Sequence, residues 1–544
     1  MDFQRVFLFV IFSFSLFLLW DGWHKEQNPP PPVVSAASTP VASPSLSSLT
    51  MPASTPTTVS AKQTADIGEK IIVLTDLFRA EINTVGGDIS RIELLKHFDT
   101  VDKDKPFVLF EHDEAHTYMA QSGLLGPGLP THNTLFTGLS NHYELTEGKD
   151  SVEIRLYAKT TVGNKVAKVF VFHKNSYLID VSYEIDNVST NKLDASAYFQ
   201  LIRDDVEPVG GTKFVPTYTG PAVYTEKDKF QKIDFASIEK NKASVPKSAD
   251  NGWAGMLQHY FVTAWIPKGN APREFYVKHL ENKLYSVGLV LPLVSIDPGK
   301  SGGITVPLYV GPAKGDLDAI APGLGLTVDY GFLTIIAKPI FWLLTAIHGW
   351  VHNWGLAIII LTILIKLAFF PLSAASYRSM AKMRVVAPKL AKIKEQFSDD
   401  RERLNRAMMD LYKTEKINPL GGCLPVLIQI PVFISLYWAI LASVEMRYAP
   451  FIGWITDLSR PDPYYVLPVI MGLSMLIQSK LNPTPPDPMQ AKLMQIMPIA
   501  FSVVFFFFPV GLVLYSVVNN VLSIAQQWYI TRNTEAEAKG VAKV

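Results

Sequence analysis

The run Leu356-Ala-Ile-Ile-Ile-Leu-Thr-Ile-Leu-Ile-Lys366-Leu-Ala-Phe-Phe-Pro371 carries one cation inside an otherwise apolar segment. A lysine well inside such a run costs about 2.5–3.5 kcal/mol on insertion scales, so its retention points to function and to polar groups nearby. Around it the chain is laid out as a membrane protein. Apolar residues crowd into 6–20 and the region beyond 330, with a polar, charged stretch between them.

The chain has 544 residues, more than one ordinary domain, and is 48% hydrophobic. Its net charge of +1 hides local asymmetry and gives no argument for a nucleic-acid partner. The single cysteine, Cys423, excludes an intrachain disulfide and falls at the start of an apolar span, where it reads as a buried thiol.

Residues 1–22 read as an N-terminal anchor: the apolar stretch 6–20 follows Arg5, and no small-residue cleavage pattern comes close behind it. Residues 23–65, rich in Pro, Ser and Thr, read as an extended linker. Over 66–325 the dominant period is two. Val152, Ile154, Leu156 and Ala158 alternate with polar residues, as do Tyr177, Ile179, Val181, Tyr183 and Ile185, and glycine or Asp-Asn turns punctuate the strands. A large, mainly antiparallel β-sandwich is expected there. Residues 326–354 contain a helix with a thin polar stripe, Lys338, Thr345, His348 and His352, which suits the membrane interface.

The core, 355–531, divides into spans at 355–372, 422–443 and 465–479, and a long uncharged run, 496–528, which Pro509 and Gly511 divide into two. Undivided, that run would be roughly 50 Å long against a hydrocarbon thickness of about 30 Å. With the anchor this makes six spans. Segment 373–420 carries 11 Lys or Arg against 6 Asp or Glu, a net +5, whereas the loop 444–464 has only Arg447 and Arg460 as cations. The basic segment, both termini and the tail 532–544 are therefore expected inside, and the β domain outside. The basic segment reads as a helical hairpin, with Ser398-Asp-Asp400 starting its second helix. Met380, Met383, Met408 and Met409 give it an adaptable apolar surface.

The spans hold no Asp or Glu, which argues against ion relay. Thr362 shares the face of Lys366, and Gln429, Ser474, Gln478, Tyr515, Ser516, Asn519, Asn520 and Ser523 supply polar positions on other spans. In lipid these must turn inward or meet water, which suggests a hydrophilic cavity with one positive charge. No GxxxxGK[ST] loop occurs, and Glu111-His-Asp-Glu-Ala-His116 reads as a solvated loop rather than a metal site, so no cofactor and no metal are expected.

Several further motifs carry a family resemblance. They are Ser379-Met-Ala-Lys-Met-Arg384, Asn418-Pro-Leu-Gly-Gly-Cys-Leu-Pro425 leading to Gln429-Ile-Pro431, Asp462-Pro-Tyr-Tyr465 leading to Leu467-Pro468, Asp487-Pro-Met-Gln490, and Phe508-Pro-Val-Gly-Leu-Val-Leu-Tyr515. In this order the chain resembles the YidC/Oxa/Alb family of membrane protein insertases, in its Gram-negative form. The resemblance implies an α+β membrane protein of the inner membrane, with a periplasmic β-supersandwich and a five-helix core whose groove opens to cytoplasm and lipid. It also implies non-enzymatic insertion of nascent membrane proteins, alone or with the Sec translocon, with membrane lipids and the ribosome as further partners, the latter through the cytoplasmic loops and tail. The family's groove arginine falls at Lys366, its threonine at Thr362, and its paired tyrosines at Tyr515 and Ser516. The expected groove is thus Lys366, Thr362, Gln429, Tyr515, Ser516 and Asn519, with the four hairpin methionines touching clients. The competing reading, a solute transporter with an external carbohydrate-binding β domain, calls for inverted repeats and intramembrane carboxylates, and neither is visible.

Overall fold

The computed structural model describes residues 68–541 apart from 101, 161–162, 209–216, 294, 398–399, 416–423 and 483–487. The expected anchor, the linker and the last three residues of the tail lie outside the described residues.

The period-two segments form a ten-stranded and a nine-stranded sheet. In the first, Ser196–Asp204 runs between Thr117–Leu125 and Leu284–Pro292, antiparallel to both. In the second, Leu178–Asp186 runs between Lys165–His173 and Ser301–Pro312, again antiparallel. Alternation places Ile179, Val181, Tyr183 and Ile185 on one face, each at most 1% exposed. They meet Phe199, Leu201 and Leu289 of the other sheet in one hydrophobic cluster, and each such side chain, once buried, contributes about 1.5–3 kcal/mol. The His112–His116 segment is a hairpin turn: the Asp113 carboxylate accepts from the Ala115 and His116 backbone N–H groups, and His116 Nδ1 lies 3.0 Å from Asp204.

The C-terminal part is helical. Its helices are α1 (Thr334–Val351), α2 (Trp354–Ala368), α3 (Phe370–Gln396), α4 (Arg401–Thr414), α5 (Leu424–Ala442), α6 (Val466–Leu481), α7 (Pro488–Phe505) and α8 (Val510–Val541). Asp400 caps α4, accepting from the N–H groups of Glu402 and Arg403, so the cap falls two residues later than the expected one at Ser398, which lies outside the described residues, and Asp400 is the cap rather than a first-turn carboxylate. The break before Val510 falls at Pro509, but Gly511 lies within α8, where its N–H donates to Leu458 O at 2.9 Å.

The boundary nearest Lys366 changes. The span read as 355–372 ends at Ala368, where the chain bends by 67° into α3, with Pro371 in the first turn of the new helix. A proline there costs no helical hydrogen bond, since that N–H has no intrahelical acceptor. At 15 residues α2 is about 22 Å long, short of the hydrocarbon thickness. Among the described residues α1 is the one unbroken helix both long and apolar enough to cross a membrane. It buries Ala337, Leu344 and Ile347 and leaves Ile335, Trp342 and Trp350 exposed.

The β-sandwich is docked on the 444–464 loop. Val444 belongs to the sandwich's hydrophobic cluster, Arg447 donates to Thr100 Oγ1 at 2.9 Å, and Tyr448 donates to Asp99 O. His259 Nε2 lies 2.8 Å from Leu441 O at the end of α5. The same loop meets the start of α2, where Asn353 Nδ2 donates to Phe451 O at 3.1 Å. Lys366 and the basic helices α3 and α4 therefore follow at the far end of α2, away from the sandwich.

Candidate functional site

Lys366 sits in the last turn of α2, just before the bend. Its ammonium donates to Ser523 Oγ of α8 at 2.6 Å. Ser523 is 2% exposed and donates its own proton to Asn519 O, one turn earlier, at 2.8 Å. The Tyr377 hydroxyl of α3 lies beside Ser523. No ion pair to Lys366 is found among the described residues, in keeping with spans free of Asp and Glu. Three helices thus converge on one serine oxygen and one positive charge.

The other expected groove residues divide among different contacts. Thr362 is fully buried and spends its hydroxyl on Ile358 O at 2.7 Å, within its own helix. Tyr515, 1% exposed, lies beside Gln429 of α5, and its ring centroid is 6.5 Å from that of Phe433. Ser516 donates to Leu512 O at 2.9 Å. Asn519 is buried and reaches the lysine group through its backbone carbonyl. Its neighbour Asn520 donates to Ser474 Oγ of α6 at 3.2 Å, and Gln527 to Asn482 Oδ1 at 2.9 Å.

The polar residues of α8 therefore form a ladder that faces α5 at Tyr515 and bonds to α6 and α2. Sequence spacing located that ladder, since Tyr515, Asn519 and Ser523 recur every four residues and share a face. It did not separate the partners of Asn519 from those of Asn520, which point to different helices. Tyr377 and Gln527 were missed: Tyr377 lies beyond the bend, where no periodic signal links it to Lys366. Ser435 Oγ, on α5, is buried and lacks a hydrogen-bond partner among the described residues. Such a group in hydrocarbon costs several kcal/mol unless water or a bound chain reaches it.

The hairpin methionines are not equivalent. Met380 is buried with Ala374, Tyr377 and Ile530, at the junction of α3 and α8. Met383 and Met408 are half-buried, and Met409, 51% exposed, is the most open of the four. Lys389 pairs with Glu415 at 2.6 Å, tying α3 to the residue that ends α4.

Two family descriptions match consecutive parts of the chain: the YidC periplasmic domain over residues 70–343, and the 60Kd inner membrane protein over 346–537. The chain is 55% identical over 564 residues to the membrane protein insertase YidC of Nitrosospira multiformis, an alignment covering 100% of this chain and 99% of that protein. It is 53% identical over 558 residues to the insertase of the same name from Methylobacillus flagellatus, covering 100% of both. With matches of this identity running from end to end, across both the β-sandwich and the helical part, the chain belongs to the YidC family of membrane protein insertases.

Proposed function

We propose that this protein inserts newly made proteins into the bacterial inner membrane and assists their folding, alone or with the Sec translocon. The observation that carries the mechanism is the Lys366 ammonium, held by Ser523 of α8 with no ion pair to a carboxylate among the described residues. A fixed positive charge in a polar recess attracts acidic and polar parts of a client, which then avoid a direct crossing of hydrocarbon. Each polar group left unsatisfied there would cost several kcal/mol. The client's apolar segment leaves along the lipid-facing helices. No chemical step is needed.

In this reading Thr362, Gln429, Tyr515, Ser516 and Asn519 line the path beside Lys366, and Met383, Met408 and Met409 offer apolar contact as clients arrive from the ribosome. The protein has six spans with both termini cytoplasmic, the β-sandwich is periplasmic, and α1 lies in the outer interface with Trp342 and Trp350 toward lipid. Docking of the sandwich on the 444–464 loop, with the basic hairpin at the other end of α2, supports this orientation. No finding supports the transporter reading.

The test is insertion of a client with an acidic translocated tail, at equal protein levels. Lys366→Arg should be tolerated, Lys366→Leu should impair insertion, and Lys366→Glu should be worse through like-charge repulsion. A normal rate for Lys366→Leu sinks the charged-groove mechanism.

A further inference from the structure

The hydroxyl of Ser523 has one proton to give and two lone pairs to receive. Its proton goes to Asn519 O at 2.8 Å. The Lys366 ammonium, which can only donate, takes one lone pair at 2.6 Å, and the Tyr377 hydroxyl of α3 lies beside the same serine. Ser523 thus spends its own proton inside α8 and meets the ammonium as an acceptor, and among the described residues the ammonium makes no other hydrogen bond. Tyr377, 3% exposed, belongs to α3 and shares a buried cluster with Met380 of the same helix and Ile530 of α8. The position of the charge is therefore tied mechanically to the first helix of the basic hairpin.

We propose that Ser523 and Tyr377 are positioning residues for client capture. They hold the Lys366 ammonium inside the bundle, against its tendency to extend toward the nearby aqueous surface, and make its availability depend on where α3 sits. This rests on the charged-groove reading above and deepens it. Acidic client groups meet a cation already placed, and a shift of the hairpin that withdraws Tyr377 loosens it. An unheld lysine stem has four rotatable bonds, and confining them at the moment of capture lowers the client's effective affinity.

The experiment is a double-mutant cycle on insertion of the acidic-tailed client, using the full-length protein in proteoliposomes. In the protein that retains Lys366, Ser523→Ala should slow insertion by roughly tenfold, the size expected when one hydrogen bond to a charged group is lost. In the Lys366→Leu background the same change should have no further effect, because it acts through the lysine. Equal slowing in both backgrounds makes Ser523 merely structural and overturns the proposal, as does no slowing in either. If Ser523→Ala does not accumulate, Tyr377→Phe removes only a hydroxyl and should show the same dependence on background. Normal insertion by Lys366→Leu alone is a separate outcome: it defeats the charged-groove reading and this proposal with it.

Discussion

Arg447 is the residue through which the β-sandwich and the helical core hold each other most directly, and its removal should loosen them without unfolding either. Its guanidinium donates to Thr100 Oγ1 at 2.9 Å and lies 5.4 Å from the ring centroid of Phe107, 5.8 Å from Tyr260 and 5.5 Å from Tyr448. A hydrogen bond from a charged donor contributes about 1.5–3 kcal/mol, and each ring contact about 0.5–1 kcal/mol at a half-exposed site. Counting the Thr100 bond and the two sandwich rings, Phe107 and Tyr260, but not Tyr448 of the same loop, Arg447→Ala should weaken docking by roughly 2.5–5 kcal/mol, on the order of a hundredfold in the docking equilibrium. Contacts of Arg460 and Tyr448 with residues 99–100, the His259 bond to Leu441 O and the buried Val444 remain, so the sandwich should wobble rather than detach. Spin labels at Val188 and Ile477, both exposed, report this by pulsed dipolar spectroscopy on a Cys423→Ser background. A narrow distance distribution should broaden in Arg447→Ala. Arg447→Lys should fall between, since lysine keeps the charge but loses the planar stacking. An unchanged distribution in Arg447→Ala would refute the assignment of docking to these contacts.

Three other outcomes are expected. Inside the sandwich, Lys168 donates to Gly86 O at 3.0 Å and lies 3.9 Å from Asp88, both fully buried, and burial pushes the Asp88 carboxyl up and the Lys168 ammonium down. Lys168→Met should destabilise the β domain by about 3–5 kcal/mol, as removal of one partner of a buried pair does, and so lower its melting midpoint, and adding Asp88→Asn should recover most of the loss. Because the folded domain holds the Asp88 proton more tightly than the unfolded chain does, this residue's contribution to stability should fall as pH rises from about 4 to about 7; a slope unchanged in Asp88→Asn would contradict this. For topology, cysteines at Arg403 and Asn533 should resist an impermeant maleimide in intact cells while one at Val188 reacts, and external labelling at Arg403 would reverse the orientation. Finally, deletion of residues 68–316 should leave insertion of simple clients largely intact while lowering protein levels, because it exposes Val444 and Arg447; complete loss of insertion by an accumulating deletion would move the function into the sandwich. The cut must pass Pro312, since the strand Ser301–Pro312 lies between two others in the nine-stranded sheet.

What was legible in the sequence was whatever local chemistry enforces. Period two marked the strands, Pro509 the break before α8, and the run 398–400 the start of α4 to within two residues, because each acts on its own few residues. The bend after Ala368 was hidden, since Leu367 to Leu372 stays apolar through it and hydropathy carries no information about axis direction. Asn187 misleads in the same way: it reads as an exposed turn, yet its side-chain amide is buried and donates to Asn191 O at 2.9 Å and Ile296 O at 2.8 Å.

The candidate site divides along the same line. The energetic cost of Lys366 is a local quantity, so one segment of sequence was enough to single it out. The groups that offset that cost are not local: Ser523 lies 157 residues away, and Tyr377, though near in sequence, reaches it only because the chain turns by 67° between them. Arg447 repeats the pattern, counted in the sequence as one of two loop cations and in the fold joined to Thr100, 347 residues earlier. A charge that is expensive where it stands can be found by its expense, but what it does is decided by the partners that tertiary structure brings to it. For Lys366 those partners come from α8 and from the base of the hairpin, which is why the hairpin, rather than the lysine's own helix, is where control over the charge should be sought.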